Sequence, residues 1–196
     1  MKKIALALLA AALPLSNAVA SDSYSIDPYH TFVHFEVDHL GGMSRLRGHF
    51  GKSSGKLTLD PAAKSGSLDV AVQTASVTTG DGDKGSRARS RDEHLRSPDF
   101  FNVAEFPAMT FKSTKVVYKG DQPASVEGNL TLLGVTKPLV LNIDRWKCAP
   151  NPNSKKDMCG GNASGTMKRS DFGMKFGIPG VGDELALWIE VEAYKD

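Results

Sequence analysis

Apolar residues recur at every second position through most of this chain, and that period restricts the architectures it can adopt. Leu68, Val70 and Val72 alternate with Asp69, Ala71 and Gln73, and Leu130 and Leu132 alternate with Asn129 and Thr131. Leu139, Leu141 and Ile143 follow beyond Pro138, and Leu185, Leu187, Ile189 and Val191 are interleaved with Trp188, Glu190 and Glu192. A period of two is the mark of a strand with one apolar face. Turn-forming clusters separate the runs, at Gly51–Gly55, Asp60-Pro61, Gly80–Gly85, Gly120-Asp121 and Gly134. There is no internal repeat and no compositional shift to mark a second domain. About eight strands with a consistent apolar face and a single candidate helical region predict an all-β, antiparallel sheet closed into a barrel, with an open sandwich as the competing arrangement.

The first hairpin can be registered from sequence. If Gly41-Gly42 is a two-residue turn, facing residues have numbers that sum to 83. Val33 then faces Phe50, Phe35 faces Gly48 and Val37 faces Leu46, which makes one apolar face. On the other face His34 meets His49, Glu36 meets Arg47 and Asp38 meets Arg45. Opposite charges fall directly across from each other on a face expected to be exposed. A slip by one residue would turn every apolar side chain to the wrong side.

Residues 1–20 have the form of a secretory leader. Lys2 and Lys3 precede an apolar run from Ile4 to Leu15 that is interrupted by Pro14, and Ala18-Val19-Ala20 is a small-x-small cleavage site. The run is too short to cross a bilayer, and no later segment approaches the roughly 18 consecutive apolar residues of a span. The expected mature protein is therefore an exported, soluble domain over residues 21–196. The leader carries two of the 24 lysines and arginines and none of the 22 acids, so the mature chain is close to neutral. That excludes the basic excess typical of nucleic-acid binders and weakens any case for an anionic membrane surface as main partner. The two cysteines, Cys148 and Cys159, flank a segment of Pro, Asn, Lys and Gly. In an exported chain they are expected to form one disulfide pinning a long loop.

Between the strands lies the segment RDEHLRSPDFFNVAEFPAMTF, Arg91–Phe111. Lys84 to Leu95 holds too few apolar residues for an amphipathic core helix. Ser97-Pro98 reads as an N-cap followed by proline at the first helical position, starting one turn that brings Phe100 and Phe101 to the end of the barrel. Arg87, Arg89, Arg91 and Arg96 cluster beside it, where guanidinium groups can meet an anionic head group or simply face solvent.

Catalytic and metal chemistry find little support. His30 and His34 share a strand face but lie about 13 Å apart, and His39 points the other way. His34 and His49 are cross-strand neighbours without an evident third ligand, so no metal site is assigned. Asp81-Gly-Asp83-Lys-Gly85 fails the calcium-loop pattern, with Ser86 at the sixth position and Asp92 at the twelfth. No GxSxG elbow is present and no catalytic residue is assigned.

Five fragments in order carry a family resemblance: YSIDPYHTFVHFEVDHLGG (Tyr24–Gly42), RLRGHFGKSSGKLTLD (Arg45–Asp60), RDEHLRSPDFFNVAEFPAMTFKST (Arg91–Thr114), GNLTLLGVTKPLVL (Gly128–Leu141) and GTMKRSDFGMKFGIPGVGDELALWIEVEA (Gly165–Ala193). Together they resemble the YceI family of exported, polyisoprenoid-binding, lipocalin-like proteins. The resemblance implies an eight-stranded antiparallel barrel with a short helical segment near one end. Its interior would hold a long-chain isoprenoid or fatty lipid, such as a quinone or prenyl lipid, in the periplasm, with no enzymatic mechanism and no cofactor. The expected tunnel wall is Val33, Phe35, Val37 and Phe50 from the first hairpin, with Val70 and Val72. Met109 and Phe111 follow from the strand after the helical turn, then Leu139, Leu141, Leu187 and Ile189. Phe100 and Phe101 would close one end. The segment CAPNPNSKKDMC departs from the family pattern and is expected to alter a loop rather than the tunnel. Homodimerisation and the lipid donor or acceptor are left open by the sequence. The alternative is a binder of a non-lipid partner, a stress-response protein, or a hydrolase using the histidine face.

Overall fold

The computed structural model describes residues 21–196, so the expected leader at residues 1–20 lies outside the described residues. Strands β2 (Phe32–His39) and β3 (Ser44–Phe50) pair in the register that their apolar and charged residues require, with Val33 opposite Phe50, Phe35 opposite Gly48 and Val37 opposite Leu46. The connection differs from expectation. It runs from Leu40 to Met43, with positive φ at Leu40, Gly41 and Gly42, and the Gly41 amide donates to the Gly180 carbonyl at 3.2 Å. Lengthening the turn removes one residue from each strand, so the register is unchanged.

The ring is formed by β1 (Asp22–Ile26), β4 (Ser53–Asp60), β5 (Ser65–Gln73), β7 (Ala108–Lys119), β8 (Gln122–Leu132), β9 (Val135–Pro150), β10 (Asp157–Lys168) and β11 (Val181–Lys195). It closes because β1 pairs with both β4 and β11. This is an eight-stranded antiparallel barrel. Strand β11 serves two partners along its length: Leu185–Glu190 face β2, and Ala193–Lys195 face β1. The chain breaks between those partners at Asp27-Pro28, where proline has no amide to donate and the Asp27 carboxylate accepts the Tyr29 amide at 2.8 Å. Beyond β2, the wall continues through β3 to the short β6 (Val77–Thr78).

Alternation sends Phe35, Val37, Phe50, Val72, Met109, Phe111, Leu130, Leu139, Leu141 and Leu187 inward, where they are buried in one cluster. A second cluster, Tyr24, Ile26, Leu57, Leu59, Cys159 and Ala193, packs the opposite end. Two glycines make room for rings. A Cβ on Gly48 would lie 2.5 Å from the Phe35 ring, and one on Gly128 would overlap the ring of Phe111.

Two local expectations are corrected. The helix α1 spans Arg91–Arg96, one turn before the Ser-Pro pair. Its N-cap is Ser90, whose hydroxyl accepts the Glu93 amide at 3.1 Å while the Glu93 carboxylate accepts the Ser90 amide at 2.7 Å. This reciprocal pairing satisfies two otherwise orphaned amides. Ser97 ends the helix instead, in extended backbone, as the residue before a proline prefers. The second correction concerns the cysteines. Cys148 and Cys159 are bonded, but they face each other directly across β9 and β10. CAPNPNSKKDMC is therefore the tip of a hairpin rather than a loop. Most of its side chains meet water on both faces, which erases the alternation that would have marked it as strand.

Candidate functional site

The barrel interior is not filled. A column of three lobes runs through it, and adjacent lobes share walls. The mouth lobe, about 460 Å³, lies between wall residues Val37, Leu46 and Leu185 and the covering segment's Leu95, Phe100 and Phe101. The middle lobe, about 110 Å³, shares Phe35, Phe101 and Leu185 with the mouth. The lower lobe, about 100 Å³, shares Val33, Val70, Leu141 and Ile189 with the middle and ends against Leu57, Leu59 and Trp146.

All of the wall residues expected from sequence face this column. Val37 and Phe100 line the mouth, and Phe35 and Phe101 stand between mouth and middle. Phe50, Val72, Met109, Phe111, Leu139 and Leu187 line the middle lobe, while Val33, Val70, Leu141 and Ile189 border both lower lobes. Phe101, only 5% exposed, meets the Phe50 ring edge-on at 5.0 Å and lies 6.5 Å from Phe35. Phe100 packs edge-on against His94 at 4.9 Å and against Phe176 at 5.5 Å. The two phenylalanines thus form an aromatic plug between the mouth and the deeper lobes.

The plug is held by a buried carboxylate. Asp92 of α1 is 3% exposed and accepts hydrogen bonds from the Thr78 hydroxyl at 2.7 Å and from the Thr79 amide and hydroxyl at 2.8 and 2.7 Å. Burial pushes its carboxyl up, but these donors outweigh burial and hold it below the usual carboxylate range. Arg96 adds donations to the Ala75 and Val77 carbonyls at 3.1 and 2.8 Å. It is therefore a structural tie between α1 and β6. Arg87, Arg89 and Arg91 do line the mouth lobe.

Sequence reasoning missed the segment after β10. Arg169, Met174 and Phe176 all line the mouth, yet no periodicity distinguishes them in KRSDFGMKFG. Arg169 is 2% exposed and donates to the carbonyls of Gly182, Met174 and Val181 at 2.7, 3.1 and 2.9 Å. Its turn is locked by Ser170, whose amide and hydroxyl donate to Asp183 at 2.9 and 2.8 Å. Those bonds hold the Asp183 carboxyl below its usual range. The cysteine hairpin also reaches the tunnel: Trp146 and Gly161 face each other in the ladder and line the lower lobe. A Cβ at Gly161 would come within 2.7 Å of the Trp146 ring.

The outer histidine face is organised differently from the expected exposed ladder. His34 and His49 stack at 5.3 Å beside Phe32. Glu36 is 6% exposed because Arg45 and Arg47 fold over it at 3.0 and 2.6 Å, with the Arg47 hydrogen bond foremost in holding its carboxyl down. The expectation of two independent exposed pairs is corrected: Arg45 bridges Glu36 and Asp38. At the other end Asp27, His30 and Glu192 bring ligand-type atoms within 4.8 Å of one another. The Asp27–His30 hydrogen bond at 2.7 Å accounts for the placement of that pair.

Comparison with known proteins agrees with this architecture. The model of the YceI-like domain matches residues 24–193. Protein YceI of Escherichia coli O157:H7 is 40% identical, with 98% of this chain and 97% of that protein covered. The crystal structure of the Campylobacter jejuni YCEI protein is 32% identical and superposes with a TM-score of 0.64 over 79% of this chain and 87% of that one. A polyisoprenoid binding domain from Saccharophagus degradans, described as implicated in plant cell wall breakdown, shares the fold at 17% identity, with a TM-score of 0.62 over 88% of this chain and 98% of that one. A barrel closed by β1 and β11, matched along nearly its whole length by these relatives, belongs to the YceI-like family.

Proposed function

We propose that this protein is an exported, periplasmic carrier that encloses the tail of a polyisoprenoid or similar long-chain apolar lipid and does not transform it. The observation that carries this reading is the open apolar column. A barrel of this size has room to pack its interior solid, yet Val33, Val70, Leu141 and Ile189 border space on two sides. Empty apolar volume in a core forfeits dispersion contacts, and an apolar chain threaded through the lobes would restore them. The ligand named for the Saccharophagus degradans domain is of the same class. Export is supported by the leader pattern at residues 1–20 and by the disulfide, which suits an oxidising compartment.

Prenyl alcohols of increasing length, titrated calorimetrically, test the reading. Each buried methylene contributes about 0.8 kcal/mol, roughly fourfold in affinity. Affinity should climb steeply with length and level off once the column is full. Affinity independent of chain length would refute a tunnel that holds the tail.

A further inference from the structure

The mouth lobe differs from the two below it in charge. Arg87, Arg89, Arg91 and Arg169 line it together with His39 and His94, and no carboxylate lines it among the described residues. The neighbouring acids stand behind the guanidinium groups. Asp81 receives both Nη atoms of Arg87 at 2.7 and 2.6 Å, with Arg91 at 3.4 Å. Asp99 takes Arg89 and His94, each at 2.9 Å. These carboxylates orient three arginines without covering the cavity.

Arg169 is the more telling group. A buried charge is costly unless it is paired, and this guanidinium has no carboxylate within salt-bridge distance among the described residues. Asp183 acts on it only through space, with both its oxygens engaged by Ser170. Three carbonyls accept one hydrogen bond each from Arg169, so Nη1 and Nη2 each keep a second hydrogen. The Phe100 ring, with its centroid 5.9 Å from the guanidinium carbon, helps to fix its orientation. A lobe walled by cations above an uncharged shaft is built for a molecule with an oxyanion at one end.

We infer that the mouth lobe seats the anionic head group, a phosphate or a carboxylate, of the lipid whose tail occupies the deeper lobes. The inference rests on the lipid-binding reading above and adds the charge class of the ligand. Neutral quinone or alcohol heads would leave Arg169 without a counter-charge, whereas an oxyanion would accept hydrogen bonds from it and from the rim arginines.

The test holds the tail constant and changes the head. Geranylgeranyl monophosphate is compared with geranylgeraniol, and palmitate with methyl palmitate, by calorimetry on the purified protein. The acid of at least one pair should bind tenfold or more tighter than its neutral partner, equivalent to about 1.4 kcal/mol. Whichever acid shows the larger ratio identifies phosphate or carboxylate. Arg89→Gln with Arg91→Gln should reduce the ratio several-fold and leave geranylgeraniol affinity unchanged, and the corresponding lysine replacements should retain the preference. Lys137→Gln, on the outside of β9, should not alter it. Equal affinity for acid and neutral partners in both pairs would overturn the head-group assignment while leaving the lipid reading intact. An undiminished ratio in the double glutamine variant, or a lost preference in the lysine variant, would overturn the assignment to this lobe. If none of the four compounds binds, this inference and the lipid reading fail together.

Discussion

Val70→Trp separates a tunnel from a solid core. Val70 lies on β5, opposite Gly55 on one side and Phe111 on the other, and it borders both the middle and lower lobes. The exchange adds about seven heavy atoms, on the order of 100 Å³ at interior packing density. That matches the middle lobe at about 110 Å³ or the lower one at about 100 Å³. In a filled core the same insertion would overpack and destabilise by roughly 1–3 kcal/mol or more. In the open column the indole enters existing space, so stability should change by less than about 1 kcal/mol, a Tm shift of about 2–4 °C for a domain of this size. Binding should suffer selectively. If about four methylene equivalents are displaced at roughly 0.8 kcal/mol each, long-chain affinity falls by on the order of 10². Short chains that reach only the mouth should bind as before. Thermal melting and calorimetry with a short and a long prenyl alcohol read both effects. A variant that loses several kcal/mol of stability, with long and short chains affected alike, would refute the open column at Val70.

Three other outcomes follow from particular contacts. Replacing Asp92 with Asn should destabilise the protein by about 1.5–3 kcal/mol, the range for hydrogen bonds to a charged group. Because its folded carboxyl titrates below the usual value near 3.9, this contribution is present above that pH and is lost as pH falls through the folded value, so wild type and variant should converge in strong acid. Replacing Cys148 with Ser and Cys159 with Ala should cost about 2–3 kcal/mol in the loop-entropy model, measured by denaturant unfolding. It should weaken long-chain binding more than short-chain binding, since the pair adjoins Trp146 and Gly161 at the tunnel floor. His30 should titrate by NMR above its ordinary value because it hydrogen-bonds Asp27 and lies near the charges of Asp27 and Glu192; Asp27→Asn should bring it down, and an unchanged midpoint would contradict that hydrogen bond.

The parts of this fold legible in sequence are those where one physical rule acts alone. Along β5, β8 and β11 one face meets the interior and the other meets water, so the two-residue period is written directly into residues such as Val70, Leu130 and Leu187. In the β2–β3 hairpin apolar pairing and charge pairing agree, so register could be read even though the turn was longer than expected. Legibility fails where rules compete or fall silent. Ser90 and Ser97 both resemble N-caps, and the reciprocal bond with Glu93 decides between them. The tip of β9 and β10 faces water on both sides and carries no alternation. Arg169 enters the mouth from a 3₁₀ turn whose geometry depends on Asp183, thirteen residues away in the chain and beyond local pattern. Glu36 looked exposed by parity, but two arginines long enough to fold back over it bury it.

The central claim is that the column holds one long-chain lipid. The most direct measurement is native mass spectrometry of the protein purified gently from its host, followed by organic extraction and identification of what is released. The account predicts a single added mass per protein, removed by extraction and identified as a long-chain isoprenoid or fatty lipid. Protein that is repeatedly empty, and that fails to take up added prenyl lipid, would contradict it.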